Sequence, residues 1–140
     1  RSEMCIRDRA DLVRSTLRLR PDRVVVGEVR GGEALDLVKA WGTGHPGGIA
    51  TIHAGSAQGA LLRLEQLILE VALTAPRALI TEAVNLVVFL AGRGRTRYVQ
   101  QIARVIGHDE RGYQLTSIAP AFIPSLTQEN SHDCLPSPRC

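Results

Sequence analysis

The chain has 140 residues, of which 44% are hydrophobic and 22% charged, so it has the composition of about one globular domain rather than a disordered chain. Its net charge of +3 is compatible with anionic ligands but too small to indicate nucleic-acid binding by itself. No apolar run approaches the ~18 residues of a membrane span. The three cysteines lie near the termini, which argues against a disulfide framework and favours a reducing, cytosolic setting.

The two ends of the chain differ in character from the rest. Residues 1–9, RSEMCIRDR, show no hydrophobic period and resemble translated sequencing-adapter sequence. We therefore expect residues 1–9 to be non-native and exclude them from the fold prediction. The domain would then span residues 10–119 and be truncated at its N-terminal side. Residues 120–140 are rich in Pro, Ser and polar residues without a period, and we expect a disordered tail.

Between these ends, hydrophobic periodicity and turn signals predict alternating helices and strands. The predicted helices cover residues 10–19, 33–41, 57–73 and 76–83, and the predicted strands cover residues 24–26, 49–53, 85–90, 98–106 and 113–117. Ser56 is the expected N-cap of the long third helix, whose apolar face would carry Ala60, Leu64, Leu67, Ile68 and Val71. This order predicts an α/β fold, a parallel sheet with an antiparallel strand extension.

The first two predicted strands each end in a residue that can do chemistry. The valines of residues 24–26 predict a strand buried on both faces, and Gly27 and Glu28 follow them. A carboxylate at this end of a strand lies where α/β sheets bind ligands. The alternative is an ordinary turn carboxylate paired with Arg30. The second strand ends at His53, which by itself would more often be a structural residue.

Two motifs carry a resemblance to a known family. RLRPDRVVVGEVR at residues 18–30 resembles the Walker B region of the secretion ATPases, and TGHPGGIATIHA at residues 43–54 resembles their His box. Residues 85–95 and 102–107 look closest to the Trb-type conjugal-transfer branch. Both motifs in this order and at this separation form a far more specific signal than either alone.

The resemblance implies part of a RecA-like P-loop NTPase core that uses ATP and Mg²⁺. Glu28, with Gly27 beside it, would orient and deprotonate the attacking water or hold Mg²⁺ through a water. His53 would sense or stabilise the γ-phosphate. The remaining candidates for contacting the nucleotide or its phosphates are Arg18, Arg20, Arg30, His45 and Thr51.

The family's phosphate loop, G-x-x-x-x-G-K-[ST], does not occur in these 140 residues. That loop supplies the backbone N–H cradle, a phosphate-binding lysine and a Mg²⁺-binding hydroxyl. We therefore expect the chain alone to be inactive and assign the ATPase function to a full-length parent. The resemblance implies that this parent is a homohexamer working with other type IV secretion or conjugation subunits, peripheral to the cytoplasmic face of the inner membrane.

Other interpretations stay open. A type II secretion or pilus motor is the alternative within the superfamily, although the four-cysteine zinc motif of some of those motors is missing here. From another class, the turn with Arg93, Arg95 and Arg97 permits a non-catalytic basic module that binds DNA or a secretion partner, without direct sequence evidence for nucleic acid. The histidines are too widely spaced for us to expect a metal site.

Overall fold

A computed structural model describes the backbone of residues 2–119 and the side chains of residues 9–118. Its helices are α1 (Ser2–Arg18), α2 (Glu33–Gly42), α3 (Ala57–Leu69) and α4 (Arg77–Ala83). Its strands are β1 (Val25–Val26), β2 (Ile49–Ala50), β3 (Leu86–Ala91), β4 (Tyr98–Asp109) and β5 (Gly112–Ala119). The predicted disordered tail at residues 120–140 lies outside the described residues.

The first helix is longer than its sequence pattern predicts. It begins at Ser2 instead of residue 10, since most of residues 2–9 are good or tolerable helix formers that continue the helical backbone. It ends at Arg18, shortly before Pro21, because the residue before a proline is disfavoured in the helical conformation. The non-native origin of residues 1–9 stays a prediction.

Strands β1 and β2 pair in parallel, with Val25 opposite Ile49. The pairing extends beyond the two strands through the Ile49 N–H, which donates to the Val24 carbonyl at 3.2 Å, and the Val29 N–H, which donates to the Thr51 carbonyl at 2.9 Å. The prediction that the valine strand is buried on both faces was wrong. Val24 is buried, but Val25 is 68% exposed, because no described element covers its face of this two-stranded sheet.

Strands β3, β4 and β5 form a separate antiparallel sheet. The prediction that the antiparallel strands extend the parallel sheet was therefore wrong. Within residues 2–119, no hydrogen-bonded strand pair joins the two sheets. Helix α3 packs against all three antiparallel strands and also against α2, so helix packing links the two sheets. The predicted hairpin between β4 and β5 is confirmed, with a tighter turn at residues 110–111.

One hydrophobic core joins α2, α3 and α4 to the antiparallel sheet. Its buried members are Val24, Val29, Ala34, Leu37, Val38, Leu61, Leu64, Leu67, Ile68, Ile80, Val105 and Tyr113. The predicted apolar face of α3 is confirmed at Leu64, Leu67 and Ile68, whereas Ala60 is half-buried and Ala57 and Leu61 are buried instead. Val71 is 57% exposed because α3 ends at Leu69, before the predicted boundary.

Trp41 fixes α2 against the parallel strands. Its indole Nε1–H donates to the Val24 carbonyl at 3.4 Å. A Cβ on Gly48 would lie 1.9 Å from the Trp41 Nε1 and 2.6 Å from the Val24 oxygen. Only glycine therefore allows the chain to enter β2 beneath the indole.

A polar cluster ties the β4–β5 hairpin to the helices. The Arg77 guanidinium donates two bonds to Glu65 Oε1, from Nε at 3.1 Å and from Nη2 at 3.0 Å. The Tyr113 hydroxyl donates to Glu65 Oε2 at 3.1 Å. Burial, followed by the nearby Glu65 carboxylate, raises the pKa of Tyr113 well above its usual range. The cluster thus holds α3, α4 and β5 in one arrangement.

The N-cap of α3 gives the first testable prediction. Ser56 Oγ accepts a hydrogen bond from the Gly59 N–H at 2.9 Å, as the sequence predicts. Ser56→Ala removes this acceptor and is expected to lower the free energy of unfolding by about 1 kcal/mol in a urea titration. Ser15→Ala, at an exposed position within α1, is the matched control. Equal stability of the two variants would show that the cap contributes nothing.

Candidate functional site

The loops that leave β1 and β2 are tied together at the carboxyl ends of the two strands. The Thr51 hydroxyl donates a short hydrogen bond to the Gly27 carbonyl, beside the backbone bond between Val29 and Thr51. The two connections place Glu28 next to His53, with 3.3 Å between the Glu28 Oε1 and the His53 Nε2. The sequence predicted both residues as strand-end groups, and the structure brings them together.

Arg30 completes this group. Its Nη2 donates to the Glu28 Oε2 at 2.5 Å. The hydrogen bond from Arg30 is the main cause that lowers the pKa of the Glu28 carboxyl, and it raises the pKa of the Arg30 guanidinium in turn. Glu28 is therefore the partner of Arg30, as the alternative interpretation predicts, and its role toward a ligand stays a prediction. We call Glu28, Arg30, Thr51 and His53 the strand-end cluster.

Arg30→Ala is expected to raise the pKa of Glu28 toward the ordinary value of a glutamate, because the main hydrogen-bond donor is lost. The lowered pKa means that the pair stabilises the folded chain above the ordinary glutamate pKa and that this contribution disappears as the pH falls through the folded-state value. A carboxyl-carbon NMR titration of Glu28 measures the shift directly. Arg18→Ala is the control, and an unchanged Glu28 titration in Arg30→Ala would contradict the assigned cause.

Glu33 is a site residue that the sequence prediction missed. It is the first residue of α2 and only 1% exposed. Its Oε1 accepts a hydrogen bond from the Arg30 backbone N–H at 3.0 Å, while its Oε2 has no hydrogen-bond partner. A glutamate in the first turn of a helix, three residues after Arg30, is the pattern that could have indicated this contact.

Arg9 also lies at the cluster. Its Nη1 donates to the Glu28 carbonyl at 3.2 Å and stands 3.9 Å from the Glu33 Oε1. Arg9 belongs to the residues that we expect to be non-native, so sequence reasoning gave it no role. Gly27, Glu28 and Glu33 line one cleft beside α1.

Three predicted site residues lie apart from the strand-end cluster. Arg18 and Arg20 are exposed at the end of α1, where neither guanidinium bonds to another described side chain. The ring Nδ1 of His45 lies 2.7 Å from the Pro21 carbonyl, so His45 ties the glycine-rich loop to the turn after α1. Their contacts with phosphate stay predictions. The basic turn with Arg93, Arg95 and Arg97 is exposed as a short 3₁₀ turn between β3 and β4.

The strand-end cluster joins a carboxylate, an imidazole and a guanidinium at the carboxyl ends of parallel strands, where open α/β sheets bind ligands. The guanidinium and the imidazole suit the phosphate oxygens of a ligand, and the carboxylate suits an attacking water. Among the described residues, no group of three or more His, Cys, Asp or Glu is arranged to hold a metal ion.

Comparison with known families decides where the chain belongs. The family described as type II/IV secretion system protein matches residues 4–111, which include both motifs and the whole strand-end cluster. The chain belongs to this family. The match covers well over half of the chain.

Individual relatives lie in the type IV secretion and conjugation branch of the family. The chain is 46% identical over 125 residues to the conjugal transfer protein TrbB of Rhizobium radiobacter, covering 89% of this chain and 37% of that protein. It is 43% identical over 61 residues to the type IV secretion system protein VirB11 of Brucella suis, covering 44% of this chain and 17% of that protein.

A solved structure agrees with these relatives. The crystal structure of the Brucella suis VirB11 ATPase in complex with sulphate matches with a TM-score of 0.61 at 30% identity, covering 68% of this chain and 31% of that one. The α/β fold is thus similar to that of a secretion ATPase. The chain spans about a third of the length of the TrbB proteins that it matches.

Proposed function

We propose that this chain is the C-terminal part of the RecA-like ATPase domain of a conjugal-transfer or type IV secretion ATPase. The supporting observation is the contact between Glu28 at the end of β1 and His53 at the end of β2. The parent protein would use ATP hydrolysis to drive conjugal DNA transfer or secretion. The similarity to TrbB and to the VirB11 ATPase supports this branch over a type II secretion or pilus motor.

The residues present fit one side of a nucleotide site. The strand-end cluster offers a carboxylate for a water or a hydrated Mg²⁺, and two cationic or N–H donor groups for phosphate oxygens. The phosphate loop that would hold the other side does not occur in the 140 residues, so we propose that the chain alone does not hydrolyse ATP. Bound MgATP would supply the electrophilic phosphorus and the counter-charge for its leaving group.

Each group of the cluster then has a role that follows from its contacts. Glu28 is ionised at neutral pH, as an ordinary glutamate is, so its carboxylate can orient the attacking water and accept its proton. His53 is 94% exposed and contacts Glu28 through one ring nitrogen, which leaves the ring accessible to a phosphate oxygen. Thr51 holds the Gly27 carbonyl and so fixes the distance between the two strand ends.

The assembly and location of the parent are part of the proposal. We expect a homohexameric ring that works with other subunits of the secretion machinery in the cytoplasm, peripheral to the inner membrane. No helix within residues 2–119 combines the length and apolar character needed to cross a membrane.

The upstream coding sequence tests the proposal. An in-frame G-x-x-x-x-G-K-[ST] upstream of the Ala10 codon, on a strand-to-helix turn, would identify the phosphate loop of the parent. The purified full-length protein should then hydrolyse ATP, and the 140-residue chain should not. An upstream reading frame that begins at a start codon and encodes no phosphate loop would contradict the ATPase assignment.

A further inference from the structure

We infer that Glu33 is a positioning residue, which sets the direction of Glu28 by holding the turn between β1 and α2. The inference rests on the proposed function for its catalytic consequence. The positioning role itself is argued from the hydrogen bond between Glu33 and the turn. Glu33 contacts neither Glu28 nor His53 through its side chain in the described structure, so its effect on them has to pass through the backbone.

The backbone of this turn is held before Arg30 by Thr51 and Arg9, whereas the Arg30 N–H itself is bonded by the Glu33 side chain. Glu28 and Arg30 project from it into the strand-end cluster, and Gly31 and Gly32 follow as the entry to α2. Glycines leave a backbone more conformational freedom than any other residue. The hydrogen bond from the Arg30 N–H to the Glu33 Oε1, at 3.0 Å, closes the turn at Arg30, between Glu28 and the start of α2.

The burial of Glu33 shows that the contact is built into the fold. A glutamate is seldom buried to 1% exposure, because its carboxylate loses hydration. Here Oε1 accepts from the Arg30 N–H and stands 3.9 Å from the Arg9 Nη1, whereas Oε2 has no hydrogen-bond partner and keeps the cost of its lost hydration. A buried acid with an unsatisfied oxygen, beside the cleft that Gly27 and Glu28 also line, points to a role in the site.

Two conservative variants separate the reach of the side chain from its charge. Glu33→Gln keeps an oxygen at the position that accepts from Arg30 but loses the charge, whereas Glu33→Asp keeps the charge but falls one methylene short. In the full-length protein, Glu33→Asp should lower kcat for ATP hydrolysis by about 10²-fold, since displacing a reacting group by ~1 Å has an effect of that size. The KM for ATP should not change, and Glu33→Gln should retain most of the wild-type kcat.

Asp36→Asn alters a carboxylate of the same helical turn that pairs with Arg14 instead, and should leave kcat unchanged. Wild-type kcat in Glu33→Asp, or an equal loss in Glu33→Gln and Glu33→Asp, would overturn the positioning role.

Hydrogen exchange at the Arg30 amide distinguishes this inference from the proposed function. In the 140-residue chain, Glu33→Asp should speed exchange of that amide and Glu33→Gln should not, whether or not the parent hydrolyses ATP. An inactive wild-type parent with this exchange pattern would reject the ATPase assignment and retain the role of Glu33 in the turn. Unchanged exchange in Glu33→Asp would reject the role of Glu33 itself.

Discussion

Glu28→Gln in the full-length protein is expected to lower kcat for ATP hydrolysis by about 10²–10⁴-fold, the usual contribution of a positioned general base. The amide keeps the size of the side chain and can still bond to Arg30, so the 3.3 Å approach to His53 need not be lost. It cannot accept a proton from water at neutral pH. A steady-state phosphate-release assay at saturating ATP measures the effect.

Nucleotide binding should survive this change. A variant that binds ATP as tightly as the wild type but turns over slowly has lost an interaction of the transition state rather than of the ground state. Glu82→Gln, an exposed glutamate of α4, is the matched control and should retain full activity. Hydrolysis by Glu28→Gln at the wild-type rate would remove Glu28 from the mechanism.

Leu37→Ala is expected to lower the free energy of unfolding by about 2–5 kcal/mol, as large-to-small substitutions in a packed core do. Leu37 is 1% exposed on α2 and belongs to the core that also contains Val24 and Val29, which flank β1 and the strand-end turn. Loss of its side chain leaves a cavity beneath the helix that holds Glu33. Urea unfolding followed by circular dichroism measures the change.

Leu73→Ala is the control for this core substitution. Leu73 is fully exposed, so its truncation should change stability by less than about 0.5 kcal/mol. A similar result for Leu37→Ala would mean that α2 does not pack on the core as described.

Local signals in the sequence predict much of this fold. The Gly-rich boundaries and the i, i+3, i+4 spacing around Leu37 place α2 within one residue of its observed bounds, and Ser56 caps α3 as predicted. Strand β3 and the β4–β5 hairpin were also predicted, because alternating patterns and a polar turn are local features. Glu28 and His53 were each predicted at a strand end, but their contact with each other is seen only in the structure.

Other features depend on tertiary structure, which a single sequence does not encode locally. Three consecutive valines predict burial on both faces, but the exposure of Val25 depends on which elements cover the sheet. The separation of the antiparallel strands into their own sheet depends on how α3 packs between elements distant in sequence. Glu33 was missed because a glutamate is normally exposed, and its burial is visible only in the three-dimensional structure.

The position of Trp41 over Gly48 gives this protein an intrinsic optical probe. Trp41 is the single tryptophan of the sequence, so all indole emission comes from the place where α2 meets the start of the strand that leads to His53. Withdrawal of that strand would admit water to the indole and shift its emission to longer wavelength, without any label. Ligand-induced rearrangement of the His53 strand could therefore be followed in real time by stopped-flow fluorescence of the unmodified protein.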